Sequence, residues 1–233
     1  LYVAFPQASD VWQPFMWVLA ALTMTVGNVV ALRQTNIVRM IAYSSISQGG
    51  FVLMPLAVAG MDGVADSALR AVVVYLIVYA ATNLGMFAVI IAVSRKTRSG
   101  QIESFGGLFS YAPALGVMAT VFLASLAGIP PLGGWIAKFG AFQALLTSGS
   151  GWGYGLAVIG AVNSVIAFGY YGVVMREIWM KPAPYGDTTP IRTPASIGLA
   201  LGISTVATLV LGVLPGVAMY FGDLARITGA FGS

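Results

Sequence analysis

Long apolar runs constrain this chain more than any other feature of its sequence. A helix needs about 20 mostly apolar residues to cross a bilayer. Runs of about this length or longer occupy 12–32, 40–60, 68–94, 112–148, 154–174 and 195–220. Only 8% of the residues are charged and 58% are hydrophobic, whereas about a quarter of the residues in a soluble domain are charged. The sequence therefore predicts an all-α polytopic membrane protein embedded in a lipid bilayer.

The fourth run, 112–148, is too long for one regular crossing. At about 1.5 Å per residue, a continuous helix would extend well past a hydrocarbon core of roughly 30 Å. The run contains Pro130 and Pro131, which lack backbone donors, and Gly133 and Gly134, which tolerate non-helical dihedrals. We therefore expect the helix to break at 129–134. The run then forms either two crossings joined by a turn or one crossing made of two half-helices.

The positions of the basic residues favour one crossing. If 112–148 crosses once and residues 1–11 lie outside, the outer side keeps only Arg70 and Arg226. The inner loops then hold the basic excess that the positive-inside rule requires, namely Arg33, Arg39, Arg95, Lys96, Arg98, Arg176, Lys181 and Arg192. Two crossings would move the last basic loop outside. We predict six crossings including one broken helix, with both ends of the chain outside.

Lys138 is the one charged residue predicted to lie well inside a span, just beyond the break at 129–134. A charged lysine at such depth costs several kcal/mol unless it faces water, a partner or freed carbonyls. Broken helices in transporters place unwound carbonyls beside the transported ion. Two interpretations follow. Lys138 binds and releases protons, or it only bonds the freed carbonyls or extends to the membrane interface.

Uncharged polar residues mark two further spans. Tyr75, Tyr79 and Asn83 are four residues apart and share one helix face, with Thr82 adjacent. In the second span the polar positions are Ser44, Ser45 and Gln48, and the fifth span holds Asn163 and Ser164. Such residues line a hydrated path or simply hydrogen-bond between packed helices. The sequence alone leaves both interpretations open.

Several kinds of chemistry are excluded for this chain. It contains no cysteine and no histidine, so thiolate sites, iron–sulfur ligation and histidine-based metal sites are not expected. The net charge of +4 comes from short clusters between apolar runs, which is typical of membrane topology rather than of nucleic-acid binding. We predict no metal, no bound cofactor and no nucleic-acid partner.

Two stretches resemble a known family. Residues 27–47 lead from Gly-Asn-Val-Val through Arg39 into Tyr-Ser-Ser-Ile-Ser, and residues 125–139 read Ser-Leu-Ala-Gly-Ile-Pro-Pro-Leu-Gly-Gly-Trp-Ile-Ala-Lys-Phe. They resemble the antiporter-like membrane subunits of proton-pumping NADH–quinone oxidoreductase, respiratory complex I, and most closely its subunit N. The sequence departs from the family at Val38, where relatives often have lysine.

The resemblance implies a fold. Its members have fourteen transmembrane helices that contain two inverted five-helix repeats. Residues 12–180 would be the second repeat, with its broken helix at 112–148, and 195–220 would be the final transmembrane helix. Because the chain begins with Leu1, we expect it to be the C-terminal part of a longer subunit.

The resemblance also implies a function. Lys138 corresponds to the broken-helix lysine that translocates protons, while Tyr75, Tyr79 and Asn83 replace titratable residues of a sister subunit. Partners would be the sister membrane subunits, in a bacterial inner membrane. Flavin, iron–sulfur clusters and the quinone site would lie in other subunits. The alternatives are a membrane subunit of an Mrp-type cation/proton antiporter or a proton-coupled hydrogenase, and a structural scaffold.

Overall fold

The computed structural model describes residues 5–224, and within them the chain is helical with no β-strand. The predictions made for Arg226 and for residues 1–4 lie outside the described residues. The described helices are α1 (Ser9–Ala31), α2 (Ile37–Leu53), α3 (Ala65–Thr97), α4 (Leu108–Tyr111), α5 (Pro113–Ala127), α6 (Gly133–Thr147), α7 (Gly151–Met180), α8 (Ala195–Val213) and α9 (Pro215–Asp223).

The predicted helical membrane fold is confirmed. Within residues 5–224, five helical segments are long and apolar enough to cross a bilayer, and they contain α1, α2, α3, α7 and α8. Helices α5 and α6 are shorter, with 15 residues each, and together they occupy most of the fourth apolar run. The count of six crossings requires that α5 and α6 span the membrane once as a pair, and it stays a prediction.

Helix boundaries differ from the apolar runs where proline or glycine intervenes. The non-helical link between α5 and α6 covers 128–132, so Gly133 and Gly134, expected in the break, are already the first residues of α6. The last run, 195–220, is divided: α8 ends at Val213 and α9 begins at Pro215. A proline ring clashes with the preceding turn and offers no N–H, which explains why α8 does not continue.

One end of the bundle collects the basic loops. The backbone N–H of Ile37 donates to Gly100 O and that of Ile102 to Thr35 O, both at 2.8 Å. These bonds join the α1–α2 loop to the segment after α3. The backbone N–H of Gly107 donates to Glu177 O at 3.0 Å, which brings the end of α7 to the same place. This "basic end" carries Arg33, Arg39, Arg95, Lys96, Arg98, Arg176, Lys181 and Arg192. The positive-inside rule assigns it to the inner side of the membrane.

The loop between α7 and α8 is tied to this end by Lys96. Its ammonium donates to the Thr189 carbonyl at 2.5 Å and lies 3.6 Å from the Asp187 carboxylate. The side-chain and backbone groups of Thr189 donate to the same carboxylate, and these bonds hold the pKa of Asp187 below its usual value. Asp187 therefore stays charged beside Lys96.

The opposite end of the bundle is the "acidic end". Its charged residues among those described are Asp10, Asp62, Asp66, Arg70 and Asp223. It is formed by the starts of α1, α3 and α7 and by α9, which reaches α3 through an ion pair between Arg70 and Asp223. Charge is thus distributed unequally between the two ends.

Candidate functional site

The break between α5 and α6 frees two backbone carbonyls. In a continuous helix, Leu126 O and Ala127 O would accept from the N–H groups of residues 130 and 131. Both positions are proline, which has no N–H to donate. A carbonyl buried without a partner is costly, so both oxygens need donors from elsewhere. The structure supplies one side chain to each.

Lys138 supplies the first donor. It lies in the second turn of α6, and its Nζ donates to Ala127 O at 2.9 Å. The ammonium also lies 4.7 Å from the centre of the Phe51 ring, within cation–π range. The residue is only 5% exposed, and it forms no ion pair with any described carboxylate. Its electrostatic partners among the described residues are therefore a carbonyl dipole and an aromatic face.

Gly128 makes room for this lysine. It ends α5 with a left-handed backbone, φ +90° and ψ +35°, a conformation that favours glycine. A Cβ at this position would lie 2.8 Å from Cδ of Lys138. The glycine therefore serves both the turn and the path of the lysine side chain along the break.

Gln48 supplies the second donor. From α2, its Nε2 donates to Leu126 O at 3.0 Å and to the Tyr171 hydroxyl at 3.3 Å. Its Oε1 accepts from the Tyr75 hydroxyl at 2.5 Å. Tyr171 is also hydrogen-bonded to Ser44. All of these side chains are buried, so the amide of Gln48 joins α2, α3, α5 and α7 around the break.

The other α3 residues that the sequence singled out contact different neighbouring helices. The Tyr79 hydroxyl donates to Ser45 Oγ of α2 at 2.6 Å. The Thr82 hydroxyl lies 3.3 Å from the hydroxyls of Ser125 and Thr208, on α5 and α8. Asn83 Oδ1 is buried and accepts no hydrogen bond from the described residues. Tyr75 and Tyr79 thus share a face toward α2, as their spacing predicts, whereas Thr82 turns toward the break.

Glycines hold the two half-helices together. A Cβ on Gly134 would lie 1.7 Å from Ser125 O, and the Gly134 backbone N–H donates to Ser125 Oγ at 3.0 Å. A Cβ on Gly212 of α8 would lie 2.2 Å from Pro131 O. Only glycine permits such contacts, so the break is closely packed on both sides.

Little free space remains beside Lys138. The cavity there offers about 10 Å³ to water, and its wall includes Gln48, Tyr75, Thr82, Ser125 and Lys138. About 10–15 Å³ of such space is needed for one water molecule. In this conformation the site therefore has room for about one water, and it connects polar groups mainly through direct hydrogen bonds.

Sequence reasoning missed residues on α1 and α7. Tyr171 is completely buried and bonds both Ser44 and Gln48. Its neighbour Tyr170 donates to Asn28 Oδ1 at 3.0 Å, and Asn28 Nδ2 donates to Asn163 Oδ1 at 2.9 Å. The signal was present, since tyrosine and asparagine are unusual inside apolar helices, but their burial depends on packing between distant helices.

No group of three or more His, Cys, Asp or Glu side chains that could hold a metal is found in the described part of the chain. The site is built from one lysine and a set of amide, hydroxyl and carbonyl groups. Such an arrangement can bind, hold and pass a proton.

Comparison with known proteins agrees with this architecture. Residues 1–166 match the family described as "NADH:quinone oxidoreductase/Mrp antiporter, TM". NADH-quinone oxidoreductase subunit N 1 of Herpetosiphon aurantiacus is 38% identical over 227 residues, which cover 97% of this chain and 44% of that protein. The chain therefore spans less than half the length of this curated relative.

Solved structures share the fold. A chain of respiratory complex I from Thermus thermophilus with bound aureothin is 30% identical with a TM-score of 0.70, and the match covers 89% of this chain and 45% of that one. A chain of the Mrp complex from Dietzia sp. gives a TM-score of 0.79 at 20% identity, covering 96% of this chain and 49% of that one. At 20% identity the second likeness shows the fold alone.

The spanning helices, the family match and the bacterial relatives together identify a multi-pass protein of a bacterial inner membrane. The broken helix and the extent of the sequence match also support membership of one family. The chain belongs to the transmembrane family of NADH:quinone oxidoreductase and Mrp antiporter subunits, and it resembles subunit N of NADH-quinone oxidoreductase.

Proposed function

We propose that this chain is part of a proton-translocating membrane subunit of NADH–quinone oxidoreductase, and that Lys138 binds and releases the translocated proton. The similarity to relatives named subunit N supports the proposal that this chain is part of that enzyme complex. The single observation that carries the role of Lys138 is its placement: a lysine, buried between helices, is bonded to a carbonyl that a proline has freed.

The contacts of Lys138 suit a group that changes its protonation. The Ala127 carbonyl and the Phe51 ring stabilise the ammonium of Lys138 less than a carboxylate partner would. Water is nearly excluded from the site. A small change in nearby charge or hydration would then shift the balance between the protonated and neutral forms. We propose that charged groups elsewhere in the complex provide this change during quinone reduction.

The hydroxyl and amide network supports this role. Gln48, Tyr75 and Tyr171 form a connected set beside the second freed carbonyl. Ser44, Ser45, Tyr79, Thr82 and Asn83 are proposed to maintain this set and the approach to Lys138. Hydroxyl groups both donate and accept, so they pass protons without carrying charge themselves.

The partners follow from the same proposal. Sister antiporter-like subunits would lie beside this chain in the membrane, and other subunits would hold flavin, iron–sulfur clusters and the quinone site. The relatives carry the name of an enzyme complex that oxidises NADH. This chain would contribute proton translocation and no redox step.

The test is NADH-driven proton uptake into inverted membrane vesicles containing the complete complex. Lys138→Ala should reduce uptake to a small fraction of the wild-type rate at equal complex content and slow coupled quinone reduction. Lys181→Ala is the matched control, because Lys181 is exposed in a loop of the basic end and should leave uptake unchanged. Wild-type uptake by Lys138→Ala at normal assembly would contradict the proposal.

Two alternatives give different results in the same preparation. A structural lysine predicts that Lys138→Met, which keeps the length of the side chain, lowers assembly but leaves uptake per complex intact. An Mrp-type antiporter predicts sodium-dependent proton movement without NADH oxidation. The likeness to the Dietzia Mrp complex concerns the fold, so the ion and the energy source are decided by this measurement.

A further inference from the structure

A second cavity lies at the acidic end, on the contact surface between α3 and α6. It offers about 70 Å³ to water, several times the space that one water molecule needs. Its wall includes Ser67, Arg70, Val74, Gly140, Gln143 and Met219, which come from α3, α6 and α9. We call this cavity the outer crevice. Unlike the space beside Lys138, it has room for several waters.

The outer crevice and the Lys138 site lie along the same helix contact. On α3, Val74 lines the crevice and Val78 lines the Lys138 cavity, one turn apart on the same face. On α6, Gln143 is five residues beyond Lys138, which corresponds to about 7–8 Å along the helix axis. Gly140, which also lines the crevice, is only two residues beyond Lys138, so the crevice and the lysine lie within one turn of α6.

One of the residues that line the crevice, Arg70, carries an unpaired donor. Arg70 Nε is buried and has no hydrogen-bond partner among the described residues. A buried N–H is rarely left without a partner, and a polar cavity of sufficient size is where water provides one. The guanidinium of Arg70 therefore borders both the crevice and, through its other end, the ion pair with Asp223.

Helix α9 forms part of the crevice wall. Met219 lines the cavity, and a Cβ on Gly222 would lie 2.6 Å from Arg70 Cγ and 2.9 Å from Val74 Cγ2. Asp223, the next residue, forms an ion pair of 2.5 Å with Arg70, and the two side chains are 45% and 31% exposed. Because these charges reach solvent, the pair holds α9 only weakly. Pro215 separates α9 from α8, so α9 can move without unwinding a spanning helix.

We propose that α9 is a latch over the outer crevice: the Arg70–Asp223 pair closes it, and its opening admits water from the outer side toward Lys138. The latch rests on the proposed function only in one respect, namely that Lys138 exchanges protons with the admitted water. The existence of the latch is a property of α3, α6 and α9 and can be measured without turnover.

The experiment uses a single introduced cysteine in the complete complex. This chain contains no native cysteine. A cysteine at Gly140 fits, because the nearest atom to its Cβ would be 3.7 Å away. Right-side-out vesicles are treated with a membrane-impermeant thiol reagent, and the rate of labelling of Gly140→Cys is followed by mass spectrometry. Gly151→Cys, at the exposed start of α7 on the same end, shows full access.

A matched pair of glycine substitutions on α9 tests the latch. Gly222→Ala should force α9 away from Arg70, whereas a Cβ on Gly216 meets nothing within 4 Å. We expect Gly222→Ala to speed labelling at position 140 about fivefold or more, Asp223→Asn to speed it up to about fivefold, and Gly216→Ala to leave it unchanged. Loss of an exposed ion pair changes an open population by about that factor.

Equal labelling rates in the Gly222→Ala and Gly216→Ala backgrounds would overturn the latch, and so would absence of labelling in every background. If Gly140→Cys fails to assemble, Ala144→Cys reports on the same cavity from a buried position of its wall. The result is independent of the pumping test. Faster labelling together with normal proton uptake by Lys138→Ala would retain the latch and reject the proposed role of the lysine.

Discussion

The proline break between α5 and α6 and the one between α8 and α9 each interrupt an apolar run, and they differ in their surroundings. Between α5 and α6, the freed oxygens of Leu126 and Ala127 face other helices, and Gln48 and Lys138 bond them. Between α8 and α9, Leu214 is exposed, and no side-chain hydrogen bond caps α9. Proline ends a helix in both places. At the first break, neighbouring helices supply side-chain donors to the freed carbonyls, and a polar site forms there.

The glycines show the same contrast. At the first break, Cβ atoms on Gly134 and Gly212 would lie 1.7 Å and 2.2 Å from backbone oxygens. At the second, a Cβ on Gly216 would meet nothing within 4 Å, and α9 is closely packed only toward its far end, where a Cβ on Gly222 would lie 2.6 Å from Arg70 Cγ. The first break is therefore fixed by packing, and the second leaves α9 held by one face. We infer that the first is built for a defined geometry and the second for movement.

The largest difference should appear on adding one methyl group at each break. Gly134→Ala should destabilise the chain by about 3 kcal/mol or more, because α5 and α6 must move apart to admit the Cβ. Gly216→Ala, the control, should change stability by less than about 0.5 kcal/mol. The measurements are the amount of assembled protein in membranes and its thermal denaturation midpoint. Equal midpoints for the two variants would remove the contrast.

A smaller effect should follow from removing the second donor at the first break. Gln48→Met keeps the volume but leaves Leu126 O and the Tyr75 hydroxyl without their partner, at a cost of about 2–3 kcal/mol. Thermal denaturation of the assembled complex measures it. Ser164→Ala is the control, because the Ser164 hydroxyl has no partner among residues 5–224. A neutral Gln48→Met would mean that the freed carbonyl is satisfied by water.

The smallest effect is expected at the second break. Asp223→Asn removes an ion pair whose side chains are 31% and 45% exposed, so stability should fall by less than about 1 kcal/mol. Asp62→Asn, an exposed residue at the same end, is the control. The same thermal assay distinguishes them. A loss as large as that of Gln48→Met would show that α9 is fixed rather than movable.

Sequence reasoning located the first break and its lysine because both depend on local chemistry. Pro130 and Pro131 cannot continue a helix wherever they lie, and a lysine within a long apolar run is evident without coordinates. The spacing of Tyr75, Tyr79 and Asn83 predicted a shared helix face, and the first two of them do meet the same neighbour, α2. The roles of these residues in proton movement stay predictions.

The sequence did not reveal which residues meet across helices. Tyr171 lies far along the chain from Ser44 and Gln48, yet its hydroxyl bonds both. Asn28 and Asn163 are 135 residues apart and hydrogen-bonded. The second break was not recognised either, since 195–220 is apolar throughout and was assigned to one span. For the two hydrogen-bonded sets, the decisive quantity is the position of a helix that is distant in sequence, whereas the second break had a local signal in Pro215.

The sequence by itself determined three properties: the chain lies in a membrane, its fourth apolar run breaks at the paired prolines, and a lysine follows this break. These properties depend on the hydropathy of each run, on the missing N–H of proline and on the cost of a charge in hydrocarbon. Only the tertiary structure decided that Lys138 and Gln48 each bond one freed carbonyl, and that α9 borders a crevice with room for several waters. Hydrogen bonds and close glycine contacts act over a few ångströms, so they exist only once separate helices have packed together.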